Sequence, residues 1–250
     1  IGYPVPVAPG TISVQAALFP YDPYHQTFLN VYESGALSQA ILDQRHPGFE
    51  YYAGTAQGVF AVLRTFLPTG IFHISLGLDH LLFLAGLMLL GGSARQLVLI
   101  VTAFTVAHTV SLSLAAVNVV NPPARIIDPA IALSIVYVGT DNLLLTVQRG
   151  GRDVRMWIAA AFGLIHGFGY ARVLSELELS RRALVWTLGA FNVGLEIGQL
   201  LIVVALAIVL SALRARSEIA GRRLAFAGSI VVVAAGAFWF VQRVFFPTGI

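Results

Sequence analysis

The stretch Ala183–Ser211 reads ALVWTLGAFNVGLEIGQLLIVVALAIVLS, and Glu196 is its only charged residue. A helix rises 1.5 Å per residue and needs about 20 apolar residues to cross ~30 Å of hydrocarbon. This run exceeds that length. Five more of the same kind lie outside it, at 70–91, 96–118, 125–147, 154–176 and 223–245. The breaks between runs carry turn chemistry or charge: Gly91-Gly92-Ser93, Asn121-Pro122-Pro123, Gly150-Gly151 and the segment Arg214–Arg223. The expected fold is an all-α polytopic membrane bundle of six transmembrane helices over residues 69–250, with the lipid bilayer as its solvent.

Composition points the same way. The chain is 57% hydrophobic and 11% charged, with a mean hydropathy of +0.81, whereas soluble domains carry about 25% charged residues. All 15 basic residues are Arg, set in short segments between apolar runs. That arrangement orients a membrane protein and offers no broad basic face to nucleic acid. Cysteine is absent, which removes disulfides, thiolate metal sites and Cys nucleophiles together. With only two Met, a thioether path for Cu(I) is not expected either. If the N-terminal segment lies outside, the inner connections hold Arg95, Arg149, Arg152, Arg155, Arg214, Arg216, Arg222 and Arg223. The outer ones hold Arg125, Arg172, Arg181, Arg182 and Arg243. The larger inner set predicts that orientation; the membrane is expected to be a bacterial inner (cytoplasmic) one.

Residues 1–53 read differently. Ile12, Val14, Ala16 and Leu18 alternate, as do Thr27, Leu29 and Val31, then Leu37, Gln39 and Ile41. Period-two runs parted by Pro20, Asp22-Pro23 and Ser34-Gly35 predict three short strands with turns. Three strands are a meagre core, so the segment is expected to be the C-terminal part of a larger extracytoplasmic β domain. The chain opens on Ile1 with no visible signal peptide, and is read as a processed or partial chain. Over 54–68, Val59, Phe60, Leu63, Phe66 and Leu67 form a helical stripe that Pro68 ends. A helix so short cannot span, and is expected in the interface plane.

Function is expected where hydrocarbon would otherwise forbid polarity. Asp79, His80, His108, Asp141, His166 and Glu196 all fall inside apolar spans. A central acid costs ~2.5–3.5 kcal/mol on insertion scales. His73 and His80, seven residues apart, share a helix face, with Asp79 about 100° round from His80. Thr105 accompanies His108 in the second span, and Ser134, Tyr137 and Asp141 recur at helical spacing in the third. His166 stands in the Gly-rich fourth span; Asn192, Glu196 and Gln199 line one face of the fifth. Such stripes must face each other or a wet cavity. Gly77, Gly163, Gly167, Gly169, Gly194 and Gly198 would let the backbones approach around it. Imidazoles with carboxylates suit a divalent transition ion such as Ni²⁺, Co²⁺ or Zn²⁺. The same residues also admit plainer roles: single histidines as interhelical hydrogen-bonding groups, Asp141 as an interfacial cap, Asn192 and Gln199 as structural glue, Tyr137 as packing. His25 and His46 are expected in solvent.

The motifs also resemble a family. His73-Ile74-Ser75-Leu76-Gly77-Leu78-Asp79-His80 fits H-x5-D-H. With Phe104-Thr105-Val106-Ala107-His108-Thr109, Ile131-Ala132-Leu133-Ser134, Phe162–Gly169 and Phe191–Gln199, it resembles the HupE/UreJ membrane proteins over roughly residues 70–205. These are associated with hydrogenase and urease accessory functions. The tract around Tyr24–Tyr52 resembles the end of the extracytoplasmic domain in one branch. The resemblance implies a nickel or cobalt permease-like protein in which His73, Asp79 and His80 carry the H-x5-D-H element. The fourth span departs from the better-studied branch in having His166 alone where that branch is richer in His.

Three functions follow as expectations. The first is a divalent-metal transporter lined by His73, Asp79, His80, His108, His166 and Glu196, supported by Thr105, Ser134, Asp141, Asn192 and Gln199. The second is an intramembrane zinc hydrolase with Asp79 or Glu196 as base. The third is a non-catalytic accessory subunit bound to other membrane chains. The non-enzymatic readings stand ahead of the hydrolase.

Overall fold

Four short strands precede the helices in the computed structural model, which describes residues 7, 9–16, 25–33, 36–147, 154–175, 179 and 181–246. The strands are β1 (Thr11–Gln15), β2 (Thr27–Glu33), β3 (Ala36–Leu42) and β4 (Gly48–Tyr52). The helices are α1 (Ala56–Leu76), α2 (Leu78–Leu89), α3 (Ala94–Ala116), α4 (Ala124–Val147), α5 (Arg155–Ser175), α6 (Arg181–Arg216) and α7 (Glu218–Phe245). The expected turns at Pro20, Asp22-Pro23, Ser34-Gly35 and Gly150-Gly151, with Leu18, Tyr24, Arg149 and Arg152, lie outside the described residues, as do the side chains of Arg172 and Arg181.

The strands form two antiparallel pairs, β1 with β4 and β2 with β3. Alternation sends Leu29, Val31, Ala40 and Leu42 inward against Phe49 and Tyr51. Strand β4 was not among the three expected, because GFEYY is short and its alternation breaks at Tyr51-Tyr52. The segment is tied to the helices through Glu33, whose carboxylate accepts the Gly54 amide at 2.8 and 3.0 Å and the Tyr51 hydroxyl at 2.9 Å. Burial, then the Glu33 bond, hold the Tyr51 hydroxyl above its usual pKa.

The helix expected to end at Pro68 runs on to Leu76. Proline removes one donor and crowds the preceding turn. Intramembrane helices tolerate this where neighbouring helices pack around the break, and here α1 packs along α6. The real break comes at Gly77, whose extended backbone (φ −72°, ψ 96°) separates α1 from α2. The expected span 70–91 therefore straddles two helices. Helices α1, α3, α4, α6 and α7 are long and apolar enough to cross a membrane, α2 is a shorter apolar helix, and α5 is 21 residues long.

Close glycine contacts give the helix directions. Gly194 and Gly198 of α6 abut Leu67 and then Ile71 and Ile74 of α1, so the two run parallel. Gly163 and Gly167 of α5 abut Phe104 and then His108 of α3, also parallel. Gly139 of α4 meets Ser229 and Val233 while Gly236 of α7 meets Val136 and Ala132, an antiparallel pair. Parallel α1 and α6 require an even number of reversals between them. That count is met if α2 continues the direction of α1. The described helices then fit about six crossings, with α1 and α2 sharing the first. Its two halves choose different partners: α1 packs on α6, while α2 packs on α4 and α7.

Candidate metal centre

Three helices deliver imidazoles to one point. His73 comes from the last turn of α1, His80 from the first turn of α2 and His108 from α3. Each offers a ring nitrogen such that the three atoms lie within 4.8 Å of one another. The rings of His73 and His80 are 4.8 Å apart, and that of His108 lies 6.3 and 6.4 Å from them. Sequence spacing put His73 and His80 on one face of a continuous helix. They do converge, but across the Gly77 break. A Cβ at Gly77 would stand 2.8 Å from both His80 Nδ1 and the His73 carbonyl, so the bend has no room for a side chain.

Helix α3 is placed by the small-residue face of α5. A Cβ on Gly167 would lie 2.3 Å from the His108 carbonyl and 2.1 Å from Ser111 Oγ, so only glycine lets the backbones come this close. The same helix brings His166 to 4.9 Å from the His80 ring. His166 Nε2 is 3.0 Å from Ser134 Oγ, whose single proton goes to the Ile131 carbonyl at 2.6 Å. The hydroxyl must then accept, Nε2 carries the ring proton, and Nδ1 keeps a lone pair.

Burial makes these lone pairs consequential. His108 is 0% exposed, His166 1% and His80 9%. His73 Nε2, His80 Nε2, both nitrogens of His108 and His166 Nδ1 are buried without a hydrogen-bond partner in the structure. Orphaned buried polar atoms cost free energy, and here they gather at one place. Phe83, Phe104, Phe191 and Tyr170 wall the group: Tyr170 stacks on Phe191 at 4.6 Å and sits 4.4 Å from the His73 ring. The part of Tyr170 and Phe191 in this wall was missed in the sequence, where an aromatic in an apolar helix has no distinguishing mark. Nitrogens ligating one ion at ~2 Å lie roughly 3–4 Å apart, so modest side-chain rotations suffice. The donor set fits a borderline divalent ion.

The other expected site residues lie around this group rather than in it. Asp79, expected as a ligand, is ion-paired with Arg243 of α7, Oδ2 to Nη2 at 2.7 Å. Glu196, likewise expected, accepts from the Thr102 hydroxyl at 2.7 Å through Oε1, while its Oε2 is buried and unpartnered. Thr105 donates to Gln199 Oε1 at 2.7 Å, so this pair joins α3 to α6. The Asn192 amide donates to Leu188 of its own helix at 2.8 Å, and its side chain also faces His108 of α3. Asp141 is half-buried in α4, where the charge of Arg155 reaches it. Tyr137 packs on Phe162, and His46 is 78% exposed beside Asp43.

Asn142 escaped the sequence reading, and Arg155 entered it only as an orienting charge. Asn142 donates to the Gly86 carbonyl at 2.6 Å, and Arg155 to those of Leu87 and Gly91 at 2.9 and 2.7 Å. Both serve the end of α2, just before the expected break at Gly91-Gly92-Ser93.

A family model described as HupE / UreJ protein matches residues 52–243, most of the chain. No curated protein and no solved structure matches it.

Proposed function

The chain belongs to the HupE/UreJ family, and from that premise we propose that it carries a divalent transition-metal ion across the membrane as its substrate. The ion would be held by His73, His80 and His108, with His166 beside them. The observation that carries this reading is the convergence of three imidazole nitrogens within 4.8 Å, each with a buried unpartnered nitrogen. Neutral imidazoles bind Ni²⁺, Co²⁺ and Zn²⁺ strongly enough to strip them from water, yet supply no charge to hold them permanently. Release therefore costs less than it would from a thiolate or multi-carboxylate cage. The break at Gly77 puts two of the ligands on separate helices, so a small rotation of α1 against α2 would open the set. Discontinuous helices with ion sites at their breaks are a recurring arrangement in transporters.

The orientation proposed is the one the Arg distribution favours, with the β strands on the extracytoplasmic side. The decisive measurement is the metal content of the purified protein alongside uptake into proteoliposomes. His108→Ala is expected to lose most of the bound ion, and His80→Ala with His108→Ala to abolish uptake. Unchanged uptake by the double variant ends this reading.

A further inference from the structure

Asp79 is the carboxylate nearest in sequence to the three imidazoles, and the structure holds it away from them. Its Oδ2 accepts from Arg243 Nη2 at 2.7 Å, and both side chains are about one-quarter exposed (23% and 26%). Of the histidines, His80, His108 and His166 are nearly or fully buried, and His73 is intermediate. Asp79 is thus more accessible than those three imidazoles. Arg243 has two further attachments: Nη1 donates to the Asp128 carbonyl of α4 at 3.0 Å, and the guanidinium lies 5.9 Å from the centre of the Trp239 ring. Losing Asp79 would leave Arg243 anchored by a hydrogen bond and a cation–π contact. Asp79, by contrast, would be left as a bare carboxylate one residue from His80.

We propose that the Asp79–Arg243 pair is a displaceable latch over the histidine centre: an arriving dication takes the Asp79 carboxylate from Arg243 and is passed to the imidazoles. This rests on the metal reading above and assigns Arg243 as the residue that tunes it. Charge supports the exchange. Three neutral imidazoles leave a bound dication uncompensated, and Asp79 would remove one of its two charges. A monovalent cation gains half as much Coulomb energy from the carboxylate and competes poorly with a fixed guanidinium. The latch therefore selects for divalent charge before imidazole chemistry selects the element. While it is closed, the apparent affinity of the centre is lowered by the fraction of protein in which Asp79 is free.

Ni²⁺, Co²⁺ and Zn²⁺ would each be titrated into the purified protein by calorimetry, with thermal unfolding of the metal-free and metal-loaded forms in parallel. Arg243→Gln is expected to lower the unfolding temperature without metal and to tighten binding about tenfold. In the Asp79→Asn background the same change should give no tightening. Equal gains with and without Asp79 would mean that Arg243 acts only through its general field, and would overturn the latch. So would unchanged or weaker binding in Arg243→Gln alone. If that variant does not fold, Asp79→Asn alone decides: about tenfold weaker binding supports the latch, and unchanged affinity rejects it. Wild-type protein that binds none of the three ions would instead remove the centre, and the latch with it.

Discussion

Ser134 determines how the His166 ring meets its neighbours, although it touches none of the other imidazoles. Its proton is committed to the Ile131 carbonyl, so its oxygen accepts from Nε2 and leaves Nδ1 as the nitrogen with a lone pair. Removing a partner that fixes the tautomer and tilt of a metal-binding histidine costs 10–100-fold in affinity. Ser134→Ala is expected to weaken metal binding by about tenfold with unchanged helicity by circular dichroism, and an affinity equal to wild type would place His166 outside the centre. The histidines were legible in the sequence because a buried ring in hydrocarbon must find a partner, and those of α1, α2 and α3 do meet. The partners of the carboxylates were not. Asp79 and Arg243 are 164 positions apart, and no periodicity links α2 to the last turn of α7. Thr102 was missed as the partner of Glu196 because a threonine in an apolar helix usually bonds its own backbone, as Thr109 does.

The terminal carbonyls of α2 are met by three other helices. Asn142 of α4 donates to Gly86, Arg155 of α5 to Leu87 and Gly91, and Arg214 of α6 to Leu89 at 2.6 Å. Two guanidinium groups at a helix C-terminus also complement its dipole. The arrangement fixes the depth of α2, and so the height of His80 at its other end. Arg155→Leu would strand two carbonyls, each at a cost of about 1–3 kcal/mol. A clear fall in the unfolding temperature in detergent is expected, along with weaker metal binding as α2 loses its anchor. Retained stability would show that water or Arg214 takes over both carbonyls. The sequence signalled the glycine faces of α5 and α6 correctly, since small residues at four-residue spacing have few other uses in a membrane. It did not signal where α1 stops. Pro68 carries the stronger local stop signal and Gly77 the weaker, yet packing against α6 overrides the first.

At the scale of the molecule, the count of six crossings was legible and their partition was not: the first comprises α1 and α2 together rather than one unbroken helix. This bears on orientation, because part of the arginine excess used to predict it has structural work. Arg155 and Arg214 cap α2, and Arg243 holds Asp79. Setting these aside leaves Arg95, Arg149, Arg152, Arg216, Arg222 and Arg223 on the predicted inner side, against Arg125, Arg172, Arg181 and Arg182 outside. The asymmetry survives with the same sign. The chain has no cysteine, so single cysteines can report sidedness without background. Arg45 in the β3–β4 connection and Asn121 before α4 are exposed, as are Ala94 at the start of α3 and Ala220 at the start of α7. With α1 and α2 as one crossing, Arg45→Cys and Asn121→Cys are expected to react with an impermeant maleimide added outside intact cells. Ala94→Cys and Ala220→Cys should react only after the membrane is opened. Had α2 turned back as a crossing of its own, Arg45 and Ala94 would label from the same side. The pattern therefore tests both the orientation and the broken first crossing on which the meeting of His73 with His80 depends.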